Sequence, residues 1–215
     1  EDVNVSLSAV GALWGVTADV QRRCQEDGRD ASALWQHLLQ RMSDMCSDLR
    51  SDVRDAAVTA LFRVLEQYGS TYSPQLWQSV ILNIVFPLMD ALQTGHEAIL
   101  KDENPTVAAL DERKAMLGEA QSSPKQWIST RATALTRLGE VFAEFLPTHI
   151  LHCDAFEEIW KKLIGLLDST FRSGPAVLSQ RAMEAKLAVL SVGVVQHHTL
   201  GSKHVEAHNS AWQVW

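Results

Sequence analysis

His149, His152 and Cys153, gathered at one helix junction, are the nearest this sequence comes to a chemical site. Imidazole and thiolate are zinc ligands, but a closed site needs a fourth donor, and none is evident nearby. His197, His198, His204 and His208 have looser metal-like spacing in a polar tail, where adventitious affinity is a better reading than a functional site. Asp154, Glu157 and Glu158 fall in the first turn of an expected helix. Negative charge there complements the helix dipole, which explains them better than a catalytic carboxylate pair. Gly201-Ser-Lys203 lacks the preceding glycine and the strand-to-helix context of a phosphate loop. No G-x-S-x-G elbow, H-E-x-x-H pair or zinc-finger spacing occurs. The expectation is a chain with no catalytic residue, no metal ligand and no cofactor.

The elements that would position a site point elsewhere. With 215 residues and 46% hydrophobic content, the chain can bury a substantial core. Only 6 Pro and 11 Gly suit long helices and argue against an all-β sandwich. A net charge of −7 excludes the broad basic face of a nucleic-acid module. Cys24, Cys46 and Cys153 are odd in number and lack C-x-x-C spacing, which predicts free thiols in a reducing compartment. No signal peptide is evident, and no uninterrupted apolar run approaches the ~18–20 residues of a membrane span. The best candidate, Val80 to Leu92, is broken by Asn83, Pro87 and Asp90. These features predict a soluble, cytosolic module.

Apolar periodicity predicts about seven helices. The first runs from about Asn4 to Arg23, the second from Ala31 to about Leu49, and the third from Ser51 to Tyr68, with Gly69 expected as a left-handed stop. Ser73-Pro74 caps a fourth, expected to kink at Pro87 and to fade near Gln93. Residues 94–123 read as a polar, partly mobile insertion. A fifth helix follows from Pro124, a sixth from about Asp154 to Phe171, and a seventh from about Ala176 to Val195. Trp14, Trp35, Trp77, Trp127 and Trp160 lie on apolar faces and are expected in the core. Residues 1–195 thus form the expected repeat domain, and 196–215 a His-rich tail whose Trp212 and Trp215 either dock back on the last layer or stand in for contacts that a longer parent chain would make.

Internal repetition organises these helices. Val5, Ala9, Val10, Ala12, Leu13, Trp14 and Val16 match Val53, Ala57, Val58, Ala60, Leu61, Phe62 and Val64. Arg131, Ala134, Leu135, Leu138 and Val141 match Arg54, Ala57, Val58, Leu61 and Val64. The segment Asp48–Leu65 reads as the turn and second helix of a HEAT-type repeat, with Asp48, Val53 and Arg54 as the structural repeat ladder at the turn. The predicted fold is all-α, a HEAT/armadillo-like α-solenoid of antiparallel helix pairs, each layer burying the next.

Asn4-Val-Ser-Leu-Ser-Ala-Val-Gly-Ala-Leu-Trp14, Val53-Arg-Asp-Ala-Ala57 with Leu61-Phe62, Leu76-Trp77, Phe86-Pro-Leu-Met-Asp90 and Lys125-Gln-Trp127 carry a resemblance. They resemble the C-terminal region of the large Arf guanine-nucleotide-exchange factors and, in particular, the MON-two family of Golgi and endosome trafficking scaffolds. The resemblance covers most of Asn4 to Leu190 and implies a segment of a longer solenoid without the catalytic Sec-seven domain. It also implies a peripheral protein of trans-Golgi and endosome membranes, with Dopey-family proteins, an Arf-like GTPase and an aminophospholipid flippase as partners. Two alternatives stand beside the scaffold: a regulatory downstream domain of a true exchange factor, and an anionic-lipid-binding helical module. The lipid reading would use Arg131, Arg137, Lys161 and Lys162 for lipid or partner contact.

Overall fold

The computed structural model describes residues 3–27, 31–102 and 123–195. Helix α1 spans Val3–Asp27, α2 Ser32–Met45 and α3 Ser51–Tyr68. A continuous rod follows, made of α4 (Pro74–Val80), a π-helical segment (Ile81–Val85) and α5 (Phe86–Asp102). Helices α6 (Pro124–Phe145), α7 (Phe156–Ser173) and α8 (Ala176–Val195) complete the described residues, which hold seven helices, the rod counted once, and no strand.

Alternate helices fall into two layers. In one, α1, α3, α6 and α8 pack side by side in that order. On the other side α2 packs against α4 and the π segment, while α7 packs on α8 and on the turn Ile150–His152, which in turn meets α4. The side-by-side helices run parallel. Along α1 and α3, Arg50 Nη2 donates to Ser6 Oγ at 2.8 Å, and the Arg63 guanidinium stands 5.0 Å from the Trp14 ring centroid. Farther along, Thr71 Oγ1 donates to Gln21 Oε1 at 3.4 Å. Along α3 and α6, Gln126 Nε2 donates to Ser51 Oγ at 3.1 Å, Arg54 Nε to Thr130 Oγ1 at 3.1 Å, and Arg137 Nη1 to Glu66 Oε1 at 3.3 Å. The three helices that repeat one another in sequence are therefore parallel neighbours in one layer, which is the all-α solenoid expected from their pattern.

Local sequence explains the helix starts. Ser73 Oγ accepts from the Leu76 N–H at 3.2 Å, with Pro74 in the first turn, where its missing donor is harmless. Ser123 and Gln126 form a reciprocal capping box ahead of α6. Its Ser-Pro-Lys-Gln signature stands in the sequence just where the fifth helix is expected to begin.

Two boundary expectations are corrected. Gly69 is not a left-handed stop, since its φ is −57° and its ψ −30°. It is glycine because an added Cβ would lie 2.5 Å from Trp77 Cζ2 and 2.9 Å from Phe145 Cζ. Its carbonyl also accepts the Trp77 indole N–H at 2.9 Å. The fourth helix does not fade near Gln93 but continues to Asp102. Leu92 and His96 are buried there, and Gly95 gives the Trp127 ring room that a Cβ would occupy. Nine residues expected in the insertion thus belong to the stack; residues 103–122, like the tail 196–215, lie outside the described residues. Finally, Pro87 has no N–H to give Asn83, and the strain is taken up just upstream as the π turn Ile81–Val85, where the Phe86 N–H bonds the Ile81 carbonyl.

By length and composition two helices would pass as membrane spans, Val3–Arg23 and Pro74–Leu100, against the expectation from uninterrupted runs. The rod is a packed layer that buries Trp77, Ile81, Leu88 and Leu92, whereas α1 is tied to α3 along one side and only 17% of its span is buried. A chain of rings, Trp35–Tyr72–Trp77–Phe145, with centroids 5.2, 5.6 and 5.0 Å apart, links α2, the rod and α6 through the core.

Candidate functional site

The Asp48–Arg54 turn is built around a buried arginine. Arg54 is wholly buried, yet it meets Asp48 through the backbone: Nη1 donates to the Asp48 carbonyl at 2.8 Å and to the Leu49 carbonyl at 3.3 Å. Its guanidinium lies 3.9 Å over the Trp127 ring centroid, and its Nε reaches Thr130, whose hydroxyl donates to Asp55. Burial pulls the Arg54 guanidinium below its ordinary value, opposed by Asp55 and Asp48. The Asp48 carboxylate turns to Arg50 instead, accepting from Nη2 at 2.7 Å and from Nε at 2.9 Å. That hydrogen bonding holds it below the usual carboxylate range. Val53, fully buried, lies at the same turn. Arg54 thus clamps the loop before α3 and welds α3 to α6.

The residues considered for zinc are engaged separately. His149 Nδ1 lies 2.7 Å from Thr148 Oγ1, and its Nε2 3.2 Å from the Ser70 carbonyl. Cys153 Sγ donates to the Pro74 carbonyl at 3.2 Å, and burial pushes its thiol up to about 11. His152 is exposed. Among the described residues no cluster of three such side chains stands ready for a metal. Glu157 and Glu158 lie in the first turn of α7 and pair with Lys161 and Lys162 at 2.6 and 3.0 Å; Asp154 precedes the helix.

The four cations considered for lipid or partner contact are divided between α6 and α7, two helices that meet through α8 rather than by packing extensively on each other. Lys161 and Lys162 carry the glutamate partners just named. Arg131 is partly buried, with Nη1 2.9 Å from His96 Nδ1, and burial lowers its guanidinium, opposed by Glu97. Arg137 pairs with Glu66 at 3.3 Å and Glu140 at 3.0 Å. Arg137 also borders a concavity.

That concavity is an open groove of about 730 Å³ along α6 and the start of α8. Ile128, Ala132 and Val177 supply apolar surface and Lys125, Arg137 and Arg181 cations, of which Arg137 pairs with Glu140 and Glu66 and Arg181 with Glu184 at 2.7 Å. Val177 is half-exposed. Basic side chains around apolar surface, in a chain of net charge −7, suit a segment carrying both acidic and apolar residues. Sequence reasoning missed Lys125, Ile128, Val177 and Arg181, because the groove exists only when α8 is laid against α6. It also missed the ion pair Lys186 Nζ–Asp168 Oδ1, 2.6 Å and largely buried, which fastens α8 to α7.

Comparison with known proteins agrees with this architecture. Residues 35–213 match the family model described as GBF1-like, tetratrico peptide repeat region. The chain is similar to Protein MON2 homolog of Caenorhabditis briggsae, 26% identical over 98% of this chain and 12% of that protein. It is similar to Protein MON2 homolog of Drosophila melanogaster at 22% over 100% of this chain and 14% of that protein. Brefeldin A-inhibited guanine nucleotide-exchange protein 1 of Arabidopsis thaliana matches at 27% over 36% of this chain and 5% of its own length. The chain therefore spans only 12% to 14% of the MON2 homologues it matches. No solved structure matches. The family name speaks of tetratrico peptide repeats where the sequence reads as HEAT-type; both are stacks of antiparallel helix pairs, the architecture found here. On the match over residues 35–213, the chain belongs to the GBF1-like tetratrico peptide repeat family, with likeness along its length to MON2 homologues and, in part, to the large guanine nucleotide-exchange proteins.

Proposed function

We propose that this chain is a non-catalytic scaffold segment of a peripheral Golgi and endosome protein in vesicle trafficking, and that it binds protein partners. The observation that carries this reading is the α6–α8 groove, whose half-exposed Val177 and neighbouring Ile128 and Ala132 lie among Lys125, Arg137 and Arg181. Such a surface suits a helix or extended segment with alternating acidic and apolar side chains. By family resemblance the partners are a Dopey-type protein, an Arf-like GTPase and an aminophospholipid flippase, and the setting is trans-Golgi and endosome membranes. The likeness to MON2 homologues over 98% to 100% of the chain supports that assignment. In this reading residues 1–195 act as one repeat domain, and its role in membrane recruitment follows from the partners it holds.

The test is capture of purified Dopey-type protein or GTP-loaded Arf-like GTPase by the immobilised chain. The scaffold reading expects retention of at least one, reduced at least ten-fold by the pair Lys125→Glu and Arg181→Glu, whose side chains are exposed, with no change in thermal stability. Retention of neither, together with normal trafficking when the segment is deleted in cells, would contradict it.

A further inference from the structure

A buried histidine fastens the end of α5 to α6. Leu92, His96 and Ile99 turn inward at spacings of four and three, and Leu100 beyond them is 47% exposed. His96 itself is 3% exposed and anchors the last two turns of α5, which ends at Asp102. Its Nδ1 lies 2.9 Å from Arg131 Nη1. A guanidinium nitrogen can only donate, so Nδ1 is the acceptor and carries no proton. The contact therefore belongs to the neutral imidazole alone, with its one proton on Nε2. Protonating Nδ1 sets donor against donor and brings two like charges together away from water. Among the described residues, the π segment and α6 pack on α5. The π segment, Ile81–Val85, carries no charged residue. Helix α6 brings Arg131, and α3 brings Arg54 over the Trp127 ring, whose edge meets Gly95. On α5 itself Glu97 is exposed, accepts from Gln93 Nε2 at 2.8 Å and acts on Arg131. Both arginines keep their charge at any physiological pH, which leaves the imidazole as the group that changes near neutrality.

We propose that His96 is an acid-sensitive latch between α5 and α6. Neutral, it accepts from Arg131 and holds the end of α5 in place; protonated, it loses that bond and the end of α5 opens. The closed form excludes a proton that the open form takes up at about 6.5, the ordinary value of an exposed imidazole. The latch is thus fully closed above about 6.5. Opening then rises about ten-fold for each pH unit below that value, until the closed form itself protonates. The device is separate from the α6–α8 groove, whose lining does not include Arg131.

The test uses the full 215-residue chain. Hydrogen exchange at the imidazole C2 position, followed across pH by mass on the tryptic peptide 64–101, titrates His96 alone, since that peptide holds no other histidine. Backbone hydrogen exchange over residues 92–101, corrected for its intrinsic pH dependence, reads the opening. The proposal expects a His96 midpoint below about 5.5, and about five- to ten-fold more opening at pH 5.5 than at pH 7.5. In His96→Asn, whose Oδ1 can accept from Arg131 but cannot titrate, opening is expected to stay within about two-fold over the same range. A His96 midpoint above 5.5, or a rise in opening below five-fold, would overturn the proposal, and both are read on the unaltered chain without the variant. The same rise in folded His96→Asn would overturn it as well, because the acid response would then come from another group.

Discussion

Arg54 shows how a single residue type can be placed correctly in a sequence while its partner is not. Asp48 and Arg54 read in the sequence as a polar ladder at the turn, and in the structure the guanidinium takes the Asp48 and Leu49 carbonyls, Thr130 and the face of Trp127. Asp48 is left to Arg50. The turn geometry that decides this is set by α6, far away in sequence, so the one-dimensional pattern could not supply it. Removing the side chain leaves two carbonyls and a threonine without their donor, and Arg54→Ala is expected to cost about 3–5 kcal/mol in urea unfolding. Arg54→Lys should recover only part, because an ammonium cannot make the same planar fork over Trp127. The cysteines give a pH prediction. Burial raises the Cys153 thiol from an ordinary 9.0 to about 11, so the native state holds its proton more tightly than the unfolded chain. Its contribution is fully present below about 9 and is lost as pH rises through about 11. Cys46, buried and bonded to the Met42 carbonyl, is shifted upward in the same sense. In a Cys24→Ser background, neither thiol should react with Ellman's reagent at pH 8 until denaturant is added.

Among the elements, the helices bounded by turn residues, Gly69 after one and Ser173-Gly-Pro175 before another, were the legible ones. Ser51–Tyr68 and Ala176–Val195 stand where the pattern puts them. The errors arose where a residue was read for its backbone preference and serves packing instead. Gly69 was expected as a left-handed stop, and its lack of a side chain accommodates Trp77 and Phe145; Gly95 likewise accommodates Trp127. Gly139 works in the same way at the α6–α8 crossing, where an added Cβ would sit 2.7 Å from Ala185 Cβ and 2.8 Å from its Cα. Gly139→Ala should therefore destabilise by about 1–3 kcal/mol through forced separation of the two helices. Gly165, on the exposed face of α7 with nothing within 4 Å of an added Cβ, makes the control. Gly165→Ala should stabilise by about 0.5–1 kcal/mol by removing a flexible residue from a helix interior. Thermal melts of the two variants, recorded side by side, check both signs.

At the scale of the whole molecule, the repeat in the sequence anticipated the stacking of α1, α3 and α6, because a solenoid layer needs the same small and apolar positions in each copy. The groove was not legible. Lys125, Arg137 and Arg181 come from two helices whose starts, Pro124 and Ala176, lie 52 residues apart, and no local pattern marks them as neighbours. If the groove takes an acidic partner, its affinity should fall steeply between 50 and 300 mM salt, since exposed charges are screened over a Debye length of roughly 8–10 Å at physiological ionic strength. Titration calorimetry at the two salt levels measures that slope. The central claim, that the chain binds a trafficking partner and performs no exchange on it, is tested most directly by one fluorescence titration. The chain is added to an Arf-like GTPase loaded with a fluorescent guanine nucleotide, while anisotropy reports binding and intensity reports nucleotide release. Saturable binding with release at the spontaneous rate is the predicted result. Release that accelerates with chain concentration would contradict the claim.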